Sequence, residues 1–196
     1  MSPEIFFTII AVFIAILAVN RIRKVRFTSR TIVYIGLMLA LSFILHQLRL
    51  FHMPQGGSVT PGSMLPLLLL SYRYGTGVGV LAGFLYGMLN ILQDPFLLHP
   101  LQVLFDYPLP YMVLGLAGLS KKSPYLCTAL AFLARFLCHF VSGAVFFSSY
   151  APAGTSPYWY AFTFNASYLL PEFIICFILL KLLPLHGLLA NMDTPK

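Results

Sequence analysis

Asp106 is the only acidic residue in the predominantly apolar run between Pro95 and Ser120, and Tyr107, Pro108 and Pro110 follow it directly. Proline deletes helix hydrogen bonds and frees backbone carbonyls, which a membrane bundle tolerates where protein or a water-filled cavity satisfies them. A carboxylate beside such a break suits a cationic ligand. The plainer alternative is that Asp106 pairs with a nearby base or hydroxyl. Two further polar pairs interrupt apolar runs: Arg135 and His139 stand four residues apart on one helical face, and Asn165 and Glu172 seven apart on another. If those helices are antiparallel, His139 and Asn165 share one half of the bilayer, with Arg135 about 6 Å and Glu172 about 10 Å deeper. Arg135 and Glu172 are therefore expected to neutralise each other as a structural ion pair beneath a ligand cavity, since an unpaired buried charge is costly.

A lone histidine in an apolar helix is more often a hydrogen-bonded packing residue than a ligand contact. His139 is singled out because Asp106, Asn165 and several aromatic residues are expected at its level, whereas His46, His52, His99 and His186 read as helix-end or interfacial residues. Phe146, Phe147, Tyr150, Tyr158, Trp159, Tyr160, Phe162 and Phe164 cluster near one end of the last two long segments. An interfacial belt accounts for Tyr150, Tyr158 and Trp159. An aromatic wall facing a carboxylate would suit a flat cationic heterocycle, at about 0.5–2 kcal/mol per contact. Tyr160 and Asn165, five apart, would both face inward if the helix begins with a short unwound stretch.

The elements that must position these residues are membrane spans. Of 196 residues, 59% are hydrophobic and only 9% charged, which excludes an ordinary soluble domain. A span needs roughly 20 apolar residues, and candidates run over 4–20, 28–50, 62–72, 76–93, 100–119, 124–147 and 158–183. The third is too short to cross unaided and reads as a broken or tilted span joined to the fourth through Arg73-Tyr74-Gly75. The first lacks a positive n-region and a cleavage site, and reads as a retained helix rather than a signal peptide. A net charge of +7 would raise nucleic acid as a partner in a soluble protein; here it sets orientation instead, and no nucleic-acid partner is expected. With Arg21, Arg23, Lys24, Arg26 and Arg30 in the cytoplasm, Arg73, Lys121, Lys122, Lys181 and Lys196 fall on the same side. Ten of the twelve positive charges then obey the positive-inside rule. This places the N-terminus outside, the C-terminus in the cytoplasm, and the loops 51–60, 94–99 and 148–157 outside.

Cys127, Cys138 and Cys176 sit singly in apolar runs and read as core residues, not as a disulfide framework or metal site. Neither a cofactor nor a metal is expected. Gly79, Gly83 and Gly87 recur every four residues and read as close helix packing; Gly36 and Ala40 form a comparable small-residue face. A phosphate-binding loop and the common hydrolase motifs are missing from the sequence, so energy for active transport would have to come from a partner or an ion gradient.

The ordered series Pro54-Gln55-Gly56-Gly57-Ser58-Val59-Thr60-Pro61-Gly62-Ser63-Met64-Leu65-Pro66, His99-Pro100-Leu101-Gln102 and Asp106-Tyr107-Pro108-Leu109 closely resembles the thiamine-specific substrate-binding (S) component of energy-coupling factor (ECF) vitamin transporters. The resemblance continues through Arg135, His139 to Gly143 and Tyr160 to Asn165, covering roughly residues 28–184. It implies an all-α integral membrane protein of the cell membrane: a six-helix thiamine-binding domain over 28–196, with 1–27 as an extra N-terminal transmembrane helix and basic loop. It further implies high-affinity capture of extracellular thiamine and association with a transmembrane coupling subunit and two cytoplasmic ATPases. Carried over by position, the substrate-binding residues would be Asp106, Tyr107, His139, Phe147, Tyr160 and Asn165, and Gly36 and Ala40 would contact the coupling subunit. Phe147 and Gly57 stand where a relative has Trp, so stacking would be weaker or supplied by Phe96 or Trp159. The extra helix is expected to lie peripheral to the bundle. Three rivals remain at this level: an S component for riboflavin or hydroxymethylpyrimidine, an intramembrane enzyme using Asp106 and His139 as acid and base, and a solitary proton-coupled carrier using Glu172.

Overall fold

The computed structural model describes residues 9, 12, 16–23, 25 and 27–185. Most of the expected span 4–20, with Lys24, Arg26, His186 and Lys196, lies outside the described residues. α1 (Ser29–Gln47) is capped by Thr28, whose hydroxyl accepts from the Thr31 N–H at 3.2 Å. A two-residue antiparallel hairpin follows, β1 (Phe51–His52) with β2 (Ser58–Val59), turned by Gly56 and Gly57 at φ 87° and 90°. Then come α2 (Leu65–Tyr74), α3 (Thr76–Gln93), α4 (Pro100–Asp106), α5 (Pro108–Met112) and a 3₁₀ helix (Val113–Leu119). α6 (Pro124–Phe146) and α7 (Pro157–Leu182) complete the bundle. Proline opens α4, α5, α6 and α7, where its fixed φ suits the first turn and its missing N–H costs nothing.

Among the described residues, α1, α3, α6 and α7 are long and apolar enough to cross a membrane, and the protein is multi-pass. The other two expected crossings are irregular. The span predicted over 100–119 is three short helices in series, broken at Tyr107 by Pro108. The segment predicted over 62–72 becomes α2, ten residues long and so about 15 Å. It survives because it is enclosed: Leu67, Leu68, Leu70 and Tyr72 are buried in the main core beside Tyr86, Leu114 and Leu180.

Ahead of α2 the backbone from Thr60 to Met64 is not helical, and buried irregular backbone must find partners inside the protein. Glu172 supplies them. Its carboxylate accepts the Thr60 N–H at 2.6 Å, the Thr60 hydroxyl at 2.7 Å and the Ser63 hydroxyl at 3.5 Å. The expected Arg135–Glu172 ion pair is accordingly not made: among the described residues no ion-pair contact joins them. The Arg135 guanidinium instead lies 4.3 Å over the Tyr111 ring and donates from Nη1 to Met64 Sδ at 2.8 Å. Helical rise matched the two residues in depth but carried no information on which neighbour each would face.

The glycine stripe of α3 backs the broken span. A Cβ at Gly83 would collide with the backbone of Tyr111 and Met112, and one at Gly87 would lie 2.6 Å from the Tyr107 carbonyl oxygen. The N-terminal segment is helical over residues 16–22 and packs Ala18 against Val80, Leu109, Met112 and Cys138. Gly36 and Ala40 are exposed on α1, and a Cβ at Gly36 would meet nothing within 4 Å.

Candidate functional site

A cavity of about 80 Å³ lies under the hairpin, enclosed by Gln55 to Ser58, the 94–96 turn, the break at Asp106-Tyr107, α6 and α7. That is room for several water-sized groups in a core otherwise closely packed. Asp106, the last residue of α4, presents its carboxylate here. It accepts from Gln102 Nε2 at 2.6 Å, from Ser142 Oγ at 2.8 Å and from His139 Nδ1 at 3.2 Å. A carboxylate accepts only, so in the neutral ring Nδ1 carries the proton and Nε2 is left as an acceptor. His139 Nε2 is buried and without a protein partner among the described residues. Asp106 therefore keeps three donors from its own protein, and among the described residues no Lys or Arg forms an ion pair with it; its side chain remains 17% exposed.

Each wall is fixed by its own local reason. Gln102, one helical turn before Asp106, accepts from the Leu98 N–H at 2.9 Å and donates to the Phe96 carbonyl at 3.0 Å, tying the 96–98 turn to α4. Tyr107 lines the cavity with its ring. Its hydroxyl is already committed, donating to the Asp94 carbonyl and accepting from the Phe96 N–H, both at 2.7 Å. Asn165 is likewise engaged, donating to the carbonyls of Ala161 at 2.8 Å and His139 at 3.2 Å while accepting from Tyr168 Oη at 2.8 Å. These two residues shape the cavity more than they offer fresh hydrogen bonds to it.

The aromatic wall is Phe96 stacked on Phe147, with centroids 5.6 Å apart at 25°, and Tyr150 set against both. Phe96 thus stands beside Phe147, whereas Trp159 is 63% exposed and stacks on Phe162, away from the cavity. Tyr160 and Asn165 both line the cavity without an unwound start to α7, which is helical from Pro157. The i, i+4 rows Tyr160-Phe164-Tyr168 and Ala161-Asn165 are adjacent on the helix surface and together form one wall. Gly57 is enforced by its surroundings: φ is +90°, and a Cβ would sit 2.8 Å from the Tyr168 ring, so this lid position has no space for a larger side chain.

Several lining residues escaped the sequence reading. His46, expected near the interface, is buried on the cavity floor and lies 3.2 Å from Asn90 Nδ2, while Asn90 Oδ1 accepts from Tyr111 Oη at 2.9 Å. Gln102 and Ser142 carried a signal, since each is one turn from a recognised site residue, Asp106 and His139 respectively. His99 does serve its helix end, accepting from the Leu101 N–H at 3.2 Å. At the mouth, Arg49 and His52 both lie 3.6 Å from the Asp94 carboxylate, and His52 is 3.0 Å from Ser58 Oγ, linking α1, the hairpin and α3.

Comparison with known proteins agrees with this architecture. Thiamine transporter ThiT of Bacillus subtilis is 39% identical over 148 residues, 67% of this chain and 77% of that protein. Thiamine transporter ThiT of Lacticaseibacillus paracasei is 29% identical over 122 residues, 52% and 61% of the two chains. A solved structure of ThiT from Listeria monocytogenes superposes with a TM-score of 0.72, covering 84% of this chain and 97% of the other; at 19% identity it bears on the fold alone. Residues 32–188 match the family described as thiamine transporter protein (Thia_YuaJ), and the chain belongs to that family.

Proposed function

We propose that the cavity under the 51–59 hairpin binds thiamine, with Asp106 as counter-charge to the thiazolium, Phe96 and Phe147 against its rings, and His139 Nε2 accepting from the aminopyrimidine. Tyr107, Tyr160 and Asn165 shape the remaining walls. The single observation that supports this reading most is that Asp106 faces the cavity with only hydroxyl, amide and imidazole partners, while Arg135, which also lines it, is turned to Tyr111 and Met64, so the carboxylate is left to pair with a cationic ligand. The family is one of transporters, which removes the acid–base enzyme from consideration.

The protein would act as the S component of an ECF transporter, open to the outside on the hairpin side, with the N-terminus outside and the C-terminus in the cytoplasm. A transmembrane coupling subunit would dock on the exposed Gly36 and Ala40 face, and two ATPases would supply the energy. Calorimetric titration of purified protein is expected to show tight one-to-one thiamine binding that riboflavin and hydroxymethylpyrimidine do not displace at equal concentration; displacement by either overturns the ligand. Gly36→Leu, which fits the isolated chain because nothing lies within 4 Å, is expected to bind thiamine normally yet abolish ATP-driven uptake. Normal uptake by that variant, or ATP-independent uptake by vesicles holding this chain alone, would rule out the coupling role.

A further inference from the structure

The basic end of the bundle holds a second, more open cavity of about 540 Å³, separate from the site above. Arg21 and Val25 of the N-terminal segment, Thr31 of α1, the Tyr74 to Val78 stretch and Leu119 surround it. Gly77 is what brings the N-terminal segment there: a Cβ would stand 2.7 Å from the Arg21 carbonyl oxygen and from Val25 Cγ2. Arg21 is thereby held at the groove by backbone contact.

Three observations bear on what the groove takes. Tyr74 Oη is buried and has no partner among the described residues; neither do Nε and Nη1 of Arg73, which stands behind the groove lining with its guanidinium 4.8 Å over the Tyr74 ring and 5.6 Å over that of Tyr34. Guanidinium N–H groups and a hydroxyl can all donate, and buried donors left unmade are costly, so the chemistry called for is an acceptor with negative charge. Among the described residues no carboxylate lies nearby. Arg21, Arg23, Arg30, Arg73, Lys122 and Lys181 belong to this end by topology, while the described carboxylates lie elsewhere: Asp94 at the far end of α3, Asp106 and Glu172 within the bundle. Finally, the groove is flanked by exposed apolar residues, Ile16, Leu17, Val19 and Leu119, which are of use to an anion that carries acyl chains and of none to a free ion.

We propose that this groove is a binding site for the headgroup phosphate of an anionic phospholipid, held by Arg21 and Tyr74, with the acyl chains along the N-terminal helix. Native mass spectrometry of the purified full-length chain, released from mixed phosphatidylglycerol and phosphatidylcholine vesicles, tests it. Wild type is expected to retain phosphatidylglycerol preferentially. Arg21→Gln should lower that retention about fivefold, the worth of one basic residue near an anionic surface, with Arg21→Lys restoring most of it and Tyr74→Phe adding to the loss. Thiamine titration, unchanged in each variant, reports folding; Arg21 is exposed, so its replacement stays informative if Tyr74→Phe does not fold. Equal retention of the two lipids by wild type, undiminished phosphatidylglycerol retention by Arg21→Gln, or its displacement by an equal concentration of inorganic phosphate overturns the proposal.

Discussion

Replacing Asp106 with Asn preserves shape and removes the charge. The carboxylate meets the cavity with no Lys or Arg paired to it among the described residues; Arg135 also lines the cavity but is turned to Tyr111 and Met64. A thiazolium about 5 Å away, at an effective dielectric near 20, would interact by roughly 3 kcal/mol. That corresponds to a loss of affinity on the order of 100-fold. Folding should change little, because one Asn oxygen can serve both Gln102 and Ser142, which share Oδ2, and His139, facing the new amide N–H, can accept at Nδ1 in its other tautomer. Isothermal titration with thiamine, and with an analogue whose thiazolium is replaced by a neutral ring, separates charge from shape. Wild type should bind the neutral analogue far more weakly than thiamine, and Asp106→Asn should treat the two nearly alike. Retention of affinity within about threefold, or an equal loss for both ligands, would refute the counter-charge argument.

The hairpin, the mouth and the depth of the bundle give three more predictions. Gly57→Val places a β-branched residue at φ +90° with its Cβ 2.8 Å from the Tyr168 ring; strain of order 1–3 kcal/mol should keep the lid from seating, and stopped-flow should show release faster by about tenfold or more. Arg49→Gln loosens a mouth contact at 3.6 Å and 23% side-chain exposure, which sets its worth at about 1 kcal/mol or less. Release should quicken about two- to fivefold, and the difference should fade as salt rises; an effect indifferent to salt would argue against an ionic latch. Glu172→Gln turns one acceptor into a donor facing Thr60 and should cost about 1–3 kcal/mol of stability. If Arg135 and Glu172 serve different neighbours, that cost should add to that of Arg135→Gln within about 0.5 kcal/mol, and a larger coupling in thermal unfolding would restore the ion pair.

Much of the scaffold was legible because membrane spans announce themselves by length and apolarity, and because the prolines after Asp106 marked the break in the span over 100–119. Asp106 and His139 were expected at one level, and they meet at 3.2 Å; with the Ser142 hydroxyl at 2.8 Å, this also gives Asp106 the base and hydroxyl partners of the plainer alternative. Azimuth was not legible. Arg135 and Glu172 match in height, yet the carboxylate turns to Thr60 and the guanidinium to Tyr111, since sequence spacing locates a residue along its own helix without saying which neighbour it faces. His46 was misread for a related reason: lying in the last turn of α1 suggested an interface, but its partner Asn90 sits 44 positions away on α3. Trp159, an attractive reporter of binding by position, points away from the cavity, which is why calorimetry is the better assay.

The contrast between the two carboxylates at depth explains why one faces a cavity and the other closes an irregular backbone. Both stand beside backbone that departs from a regular helix. At Thr60 to Met64 the departure leaves an N–H and two hydroxyls needing an acceptor, and Glu172, 1% exposed, satisfies them. At Tyr107 the backbone finds its own partners: the Tyr107 N–H reaches the Val103 carbonyl at 3.0 Å, and Gly83 and Gly87 of α3 let the segment lie against a bare helix. Asp106 is therefore not required for the break it adjoins. Its donors come from side chains, Gln102, Ser142 and His139, which aim the carboxylate into the cavity instead of closing over it. A glycine stripe that reads as mere packing thus leaves the acidic residue free to face the cavity, and filling it should harm both the fold and the proposed site. Gly87→Ala, with its Cβ 2.6 Å from the Tyr107 carbonyl oxygen, is expected to displace the break and weaken thiamine binding even though residue 87 does not line the cavity.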